Sequence, residues 1–480
     1  ATTANFMWLI RYAINNGIRM RAMGSGWSLS EVAVCEGGVV DTKSLRLSFA
    51  LRNSFVAPQY LNKGGSALNL FFVQCGMSML QINEKLEAAG RSLKASGASN
   101  GQSIAGCIGT GTHGAAFRTG APHDSVLGLH IITGPDRHVW LERGSNPVAS
   151  NDFINWLGAE KISNDDIFNA ALVSFGSFGF IHGVLLETEP IFLLEEHYTG
   201  MLAFNVPLTH AINNLDFNAI ADKLPYPAGT PGKEAYHFEI MVNPHQFEKD
   251  NPQKGVYARF FYKTPYRTDY PKRRRDDTGY QYGDDVLGLV QTILDSIGPT
   301  LSAALIPAMV NKLLPLVYKP QPVAYGTIGE TFVNTRFRGK AASMAIGFHT
   351  AFASRVVEEI TAINKQTPFP GAVSLRYVKG TVALLGFTKF PVTCVLELDG
   401  VDAKVTREFY QKLWNRLEVL QIPFTVHWGK INSLLNAQRV RQMYSEPVVN
   451  RWIACRQLLL DANTRKVFTN VFMERVGLAT

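Results

Sequence analysis

A chain of 480 residues, 46% of them apolar and 18% charged, can bury a large core and is expected to divide into two or three lobes. Its net charge of +8 suits an anionic ligand, but the basic residues are dispersed rather than striped, which argues against a nucleic-acid partner. Cys35, Cys75, Cys107, Cys394 and Cys455 show neither zinc-ligand spacing nor a disulfide framework, so no metal site is expected and a reducing, cytoplasmic compartment is favoured. The chain opens at Ala1 rather than methionine, so processing or truncation leaves its targeting open.

The apolar segment from Phe6 to Ile18 reads as a first helix, and a Gly/Ser turn, Gly24-Ser25-Gly26-Trp27-Ser28, follows it. A second such stretch runs from Gln102 to Gly114 and holds Ser103, Gly106, Cys107, Gly109, Thr110, Gly111, Thr112 and His113. Glycine lets backbone N–H groups approach an anion that a side chain would hold off, and hydroxyls add donors, so a diphosphate is the natural guest. Gly109-x-Gly111-x-x-Gly114 also matches a nicotinamide-dinucleotide fingerprint, which needs a helix directly after it and an acidic residue about 20 positions on. The segment after Gly114 is short and broken by Gly120 and Pro122. Asp136 falls in a turn between two strand-like runs, Val126 to Ile132 and His138 to Glu142, so that reading is set aside. A third glycine turn, Gly176-Ser-Phe-Gly179-Phe-Ile181, follows.

A second lobe is expected after Pro190. His237 to Val242 and Tyr257 to Tyr262 alternate with period two, as strands of an antiparallel sheet with one covered face do. Lys272 to Arg275 is a basic run cancelled by Asp276 and Asp277, hence a solvated loop. Val286 to Val317 is the most apolar stretch, but Asp295, Pro299, Pro307 and Lys312 interrupt it short of the ~20 residues that span a bilayer. Two short core helices are expected there; the sharper alternative is an apolar wall for a bulky substrate or a membrane-surface contact.

The three glycine turns, in this order, resemble the ligand-contacting segments of the FAD-linked oxidoreductases of the vanillyl-alcohol oxidase type. Within that family they are most similar to the alditol, aldonolactone and sterol oxidase branch, whose turns read Gly-x-Gly-His-Ser, Ala-Gly-x-x-x-x-Gly-Thr-His-Gly and Leu-Gly-x-x-Gly-Val-Ile. His427-Trp-Gly-Lys430, Leu459-Leu-Asp461 and Val467-Phe-Thr-Asn470 resemble the same branch near its C-terminus, while residues from about 200 to 370 match none of its patterns. The resemblance implies an α+β fold, with a two-subdomain FAD-binding domain over 1–190, an antiparallel-sheet substrate-binding cap over 191–424, and a segment, 425–480, that returns to the FAD-binding domain.

It further implies a flavoprotein oxidising a CH–OH donor, a polyol, sugar lactone or hydrophobic alcohol, by hydride transfer to the flavin, with oxygen or another acceptor reoxidising it. The alternatives are a flavin-dependent reductase or desaturase of a C–C bond and a non-catalytic basic binding protein on the same fold. Gly24, Ser25, Gly26, Trp27, Ser28, Ser103, Gly106, Gly109, Thr110, Gly111, Thr112, His113, Gly114, Gly176, Gly179 and Ile181 then become cofactor-binding candidates. His113 is equally suited to a structural hydrogen bond, and Cys107 to filling a buried space. Trp27 stands where relatives carry the histidine bonded to the flavin, and indole is no nucleophile, so FAD is expected to be held non-covalently. The family strand that often reads Glu-x-Arg is Ser374-Leu-Arg376 here, and Glu397 on a neighbouring strand is a candidate replacement acid or base, or else a surface ion-pair partner. Arg376 and Lys430 suit cationic roles, and His427 suits proton transfer because imidazole titrates near neutrality.

Overall fold

The computed structural model describes residues 2–272, 302–332 and 341–479. Its first helix, Thr2–Asn15, buries Phe6, Ile10 and Ala13 at helical spacing. It leads into two short parallel strands, β1 (Arg21–Met23) and β2 (Val39–Asp41), which form the smallest sheet. The first glycine turn lies between them.

A second sheet is built from β3 (Ser48–Ala50), β4 (Leu70–Gln74), β5 (Arg91–Leu93), β6 (Val126–Ile132), β7 (His138–Glu142), β8 (Glu160–Ser163) and β9 (Phe180–Pro190). Its order is β3-β4-β9-β6-β7-β8, with β5 paired to the far end of β9. Only the β7–β8 pairing is parallel. Between β5 and β6 the second glycine stretch contains a short helix, Ile104–Gly109, because Ile104, Cys107 and Ile108 share a buried face. That helix ends before Gly111, and no helix follows Gly114 directly, so the nicotinamide fingerprint lacks its structural context.

Three histidines are strung beneath the first helix. His130 Nε2 meets His138 Nδ1 at 2.9 Å, His130 Nδ1 meets His182 Nδ1 at 3.0 Å, and His182 Nε2 meets Thr2 Oγ1 at 2.9 Å. Burial first, then the neighbouring histidines, favours the neutral rings: His182 is drawn down to about 4 and His130 further.

The third sheet has β10 (Phe192–Leu202), β11 (His237–Val242), β12 (Val256–Pro265), β13 (Ala324–Gly326), β14 (Ala341–His349), β15 (Gly371–Lys379), β16 (Val392–Val401) and β17 (Phe424–Val426). It is antiparallel throughout, in the order β13-β10-β12-β11-β15-β16-β14-β17. The period-two alternation of β11 is present, but the expectation of a single covered face is corrected: every residue of β11 is buried. Phe238, Ile240 and Val242 join the main apolar core, together with Val356 and Ile360 of the helix Ala353–Gln366 and Leu413 of the helix Lys404–Val419. The alternate positions, His237 and Glu239, belong to a charged layer that is equally buried.

Within the stretch expected to form two helices, residues 286–301 lie outside the described part. The remainder is one helix, Ser302–Val317, that runs through Pro307 and Pro315. Proline removes a backbone donor at each point. Val310, Leu314 and Tyr318, at four-residue spacing, pack against Tyr198, Met241 and Tyr257 of the sheet, and this burial offsets the lost hydrogen bonds. Among the described residues no helix is long and apolar enough to cross a membrane. The basic run lies outside them apart from Lys272, which is exposed. All five cysteines are unbridged; Cys107 is buried and its thiol is pushed up to about 12 by that burial.

Candidate active site

The three glycine turns meet around one cavity of about 470 Å³, within the range of about 300–1,000 Å³ of ligand pockets. Gly24, Ser25, Gly26, Trp27 and Ser28 line it from the turn between β1 and β2, and Ser103, Gly106, Gly109, Thr110, Thr112 and His113 from the helix Ile104–Gly109 and its exit. Gly176, Gly179 and Ile181 line it at the start of β9. The turns touch each other closely: a Cβ on Gly24 would stand 1.8 Å from Ser103 Oγ. Gly26 and Gly176 have φ of +73° and +69°, and a Cβ on either would meet no atom within 4 Å, so both present bare backbone to open space.

Gly111 and Gly114 do not line the cavity. Gly111, with φ +72°, backs onto Val173, and a Cβ on Gly114 would lie 2.1 Å from the Ser96 carbonyl oxygen. Both glycines serve close packing behind the cavity wall rather than the wall itself.

Arg376, Glu397, His427 and Lys430 line the same cavity. Strand register explains how. Arg376 on β15 pairs across to Glu239 on β11, and Ser374 pairs across to Glu397 on β16. Arg376 Nε donates to Glu239 Oε2 at 3.0 Å, and its NH1 lies 3.7 Å from Glu397 Oε1. Glu239 also pairs with Arg259. Lys430, on the turn after β17, contacts Glu397 Oε2 and stands 3.8 Å from Asp399. Burial works against charge on Glu397, but Lys430, His113 when protonated and Arg376 outweigh it and hold the carboxyl well below its usual range. Glu397 is therefore a buried member of a charge cluster, which corrects its reading as a surface ion pair.

His427 differs from its expectation as a base near neutrality. Burial first, then His113 and Lys430, lowers its proton affinity well below that of ordinary imidazole. Its Nδ1 accepts the Gly429 N–H at 3.0 Å, which leaves the proton of the neutral ring on Nε2, the tautomer of a donor. His113 links the second glycine stretch to this cluster: its Nε2 lies 3.3 Å from Glu397 Oε1. Sequence reasoning missed Ser343 on β14, whose buried Oγ has no hydrogen-bond partner among the described residues and which lines the cavity beside this cluster. A single serine within a run of small strand residues carried no signal. Glu239 and Arg259 were also missed, although the alternation of β11 and β12 placed them on one face.

The FAD binding domain family matches residues 1–141. Residues 1–141 thus match an FAD-binding domain. Its fold matches that of cholesterol oxidase from B. sterolicum, with a TM-score of 0.67 at 16% identity over 98% of this chain and 91% of that one. Among curated proteins, the chain is 27% identical over 186 residues to a putative D-arabinono-1,4-lactone oxidase of Neurospora crassa, covering 39% of this chain and 28% of that one. It is 26% identical over 189 residues to an L-gulono-1,4-lactone dehydrogenase of Mycobacterium tuberculosis, covering 39% and 36%. The chain thus spans only about a third of the length of the curated relatives it matches.

The walls suit FAD. Bare glycine backbone faces the cavity at Gly26 and Gly176, where diphosphate oxygens need close N–H donors. Gln102 Oε1 is buried, lines the same cavity and has no hydrogen-bond partner among the described residues, so an acceptor is left for a ligand hydroxyl or amine. Trp27 is half-buried on the cavity wall.

Proposed function

We propose that the chain is an FAD-dependent oxidoreductase that oxidises a CH–OH donor, with oxygen or another acceptor taking the electrons. One observation carries this reading: a buried cluster of two cations and a carboxylate opens on the same cavity as the glycine turns. In this reading, residues 1–190 and 425–480 hold the cofactor and 191–424 supply the substrate wall. Bound FAD supplies the hydride acceptor.

The residues divide the remaining work. Arg376 and Lys430 favour negative charge on the substrate oxygen as its proton leaves, and Glu397 is the carboxylate placed to receive that proton. His427, as an Nε2 donor, orients an oxygen. Ser343 offers a hydroxyl to a further substrate group. The residues named here, Ser343, Arg376, Glu397, His427 and Lys430, are polar, and the apolar face of Ser302–Val317 packs on the sheet instead of lining the cavity. Both features favour a polyol or sugar lactone over a hydrophobic alcohol, in line with the lactones named for the two curated relatives.

Anaerobic mixing of the yellow protein with a panel of polyols, aldonolactones and sterols tests the reading. Bleaching of the flavin by a polyol or lactone is expected. A protein without stoichiometric flavin, or one whose flavin no alcohol reduces, would sink it.

A further inference from the structure

We infer that His113 is the group that finally takes up the substrate's hydroxyl proton, receiving it through Glu397. The inference rests on the proposed alcohol oxidation and adds a proton acceptor to it.

The ring of His113 is locked in one tautomer. Its Nδ1 lies 3.0 Å from the carbonyl oxygen of Gly114. A carbonyl only accepts, so Nδ1 carries the hydrogen and Nε2 becomes the ring's acceptor. That Nε2 faces Glu397 Oε1 at 3.3 Å inside the protein. Two acceptors at this separation form a hydrogen bond as soon as one proton is added between them. Substrate oxidation supplies one.

Glu397 alone is a poor resting place for that proton. Against the opposing effect of burial, Lys430 first and then Arg376 favour its ionised form. Such an acid gives the proton up again at once, and His113 is the neighbour whose acceptor is aimed at it.

The other groups facing His113 are otherwise engaged. His427, after β17, spends its Nδ1 on the Gly429 N–H. His123, just before β6, places Nε2 against Thr381 Oγ1 at 3.1 Å, and burial lowers its proton affinity. Lys430 and Arg376 are cations directed at Glu397.

The step balances. The substrate O–H bond breaks and an N–H bond forms at His113 Nε2. The electron pair of the C–H bond leaves with the hydrogen as hydride to the bound flavin, and a carbonyl double bond forms. Glu397 is a carboxylate before and after, ending as the partner of an imidazolium, an arrangement in which opposite charges 3.3 Å apart stabilise the product state.

Histidine-directed 15N magnetic resonance of the flavin-loaded protein reads this without any substrate, with His113→Asn identifying the signal. The expected signal shows hydrogen on Nδ1, takes up a proton at Nε2 as pH falls, and does so at lower pH in Glu397→Gln. Hydrogen resting on Nε2 in the neutral ring, or proton uptake unmoved by Glu397→Gln, overturns the inference. A kinetic arm uses L-gulono-1,4-lactone as the probe under anaerobic conditions. His113→Asn should lower the limiting rate of flavin reduction about 100-fold, leave the half-saturating lactone concentration little changed, and abolish the fall in rate on the acid side. Retention of that acid limb also overturns the inference. Failure of the lactone to reduce the wild-type flavin counts against the proposed function instead, and the resonance measurement then decides the role of His113.

Discussion

Glu397 stands directly across from Ser374 in the register of β15 and β16, and its carboxylate reaches both Lys430 and Arg376. The strand of Arg376 thus carries Ser374 at the position that a carboxylate from the neighbouring strand faces. Ser374→Glu should set two carboxylates opposite each other in a buried layer and lower stability. Ser374→Glu combined with Glu397→Ser restores a single carboxylate and should recover most of the loss. Equal melting temperatures for the single and double variants would show that the two positions do not share one charge.

Lys430→Met keeps much of the apolar stem and removes the charge. The variant should load flavin normally yet be reduced by substrate at least ~100-fold more slowly, as expected when one electrostatic stabiliser is lost. Rapid-mixing reduction under anaerobic conditions measures this step. An unchanged rate would leave Arg376 as the main cation of the site.

Acid precipitation should release one FAD per chain into the supernatant, because Trp27 cannot form a histidyl bond. Colour that stays with the denatured protein would redirect attention to the nucleophiles lining the cavity, Cys35, Cys75, His113 and His427.

Gly109→Val projects a side chain toward open cavity, since the nearest atom to its Cβ is Gly176 N at 3.9 Å. Flavin occupancy should fall while stability changes by no more than ~1 kcal/mol, glycine being a weak helix former to begin with. Gly111→Val should do the opposite: its φ of +72° strains valine, so the loss is in folding. Full flavin content in purified Gly109→Val would remove the helix Ile104–Gly109 from the cofactor wall.

Acid should destabilise the protein through the chain of histidines. His182 has an unfolded reference of 6.5 and a folded value of about 4, so the unfolded state binds more protons between these limits. Its contribution is complete above pH 6.5 and falls as pH drops toward 4, by about 1.4 kcal/mol per pH unit for each proton. His130, shifted in the same direction, steepens the slope. Urea unfolding from pH 7 to 4 measures it, and His182→Gln should flatten the curve by about one proton. An unchanged slope in that variant would mean that other groups carry the acid sensitivity.

The glycine turns were legible in the sequence because a bare backbone position leaves a mark in residue identity: Gly26 and Gly176 are what such conformations demand. The placing of Arg376 and Glu397 on neighbouring strands was also legible from short-range alternation. The contact of His113 with Glu397 was not, since it joins residues 284 positions apart through the meeting of two sheets. The polar positions of β11 looked solvent-facing because alternation records two faces but not what covers them. In Ser302–Val317, proline was read as a stop where packing carries the helix through.

The first glycine turn and the segment bearing Lys430 are joined by their backbones: Leu29 N donates to the Gly429 carbonyl at 2.8 Å, and Ser30 Oγ donates to that of Trp428 at 2.6 Å. These seams make residues 427–430 a fitted part of the N-terminal turn. Hybrid enzymes that borrow a foreign specificity region should therefore inherit 24–30 and 427–430 from one parent, because mixing them would leave two mismatched edges at the place where the chemistry is proposed.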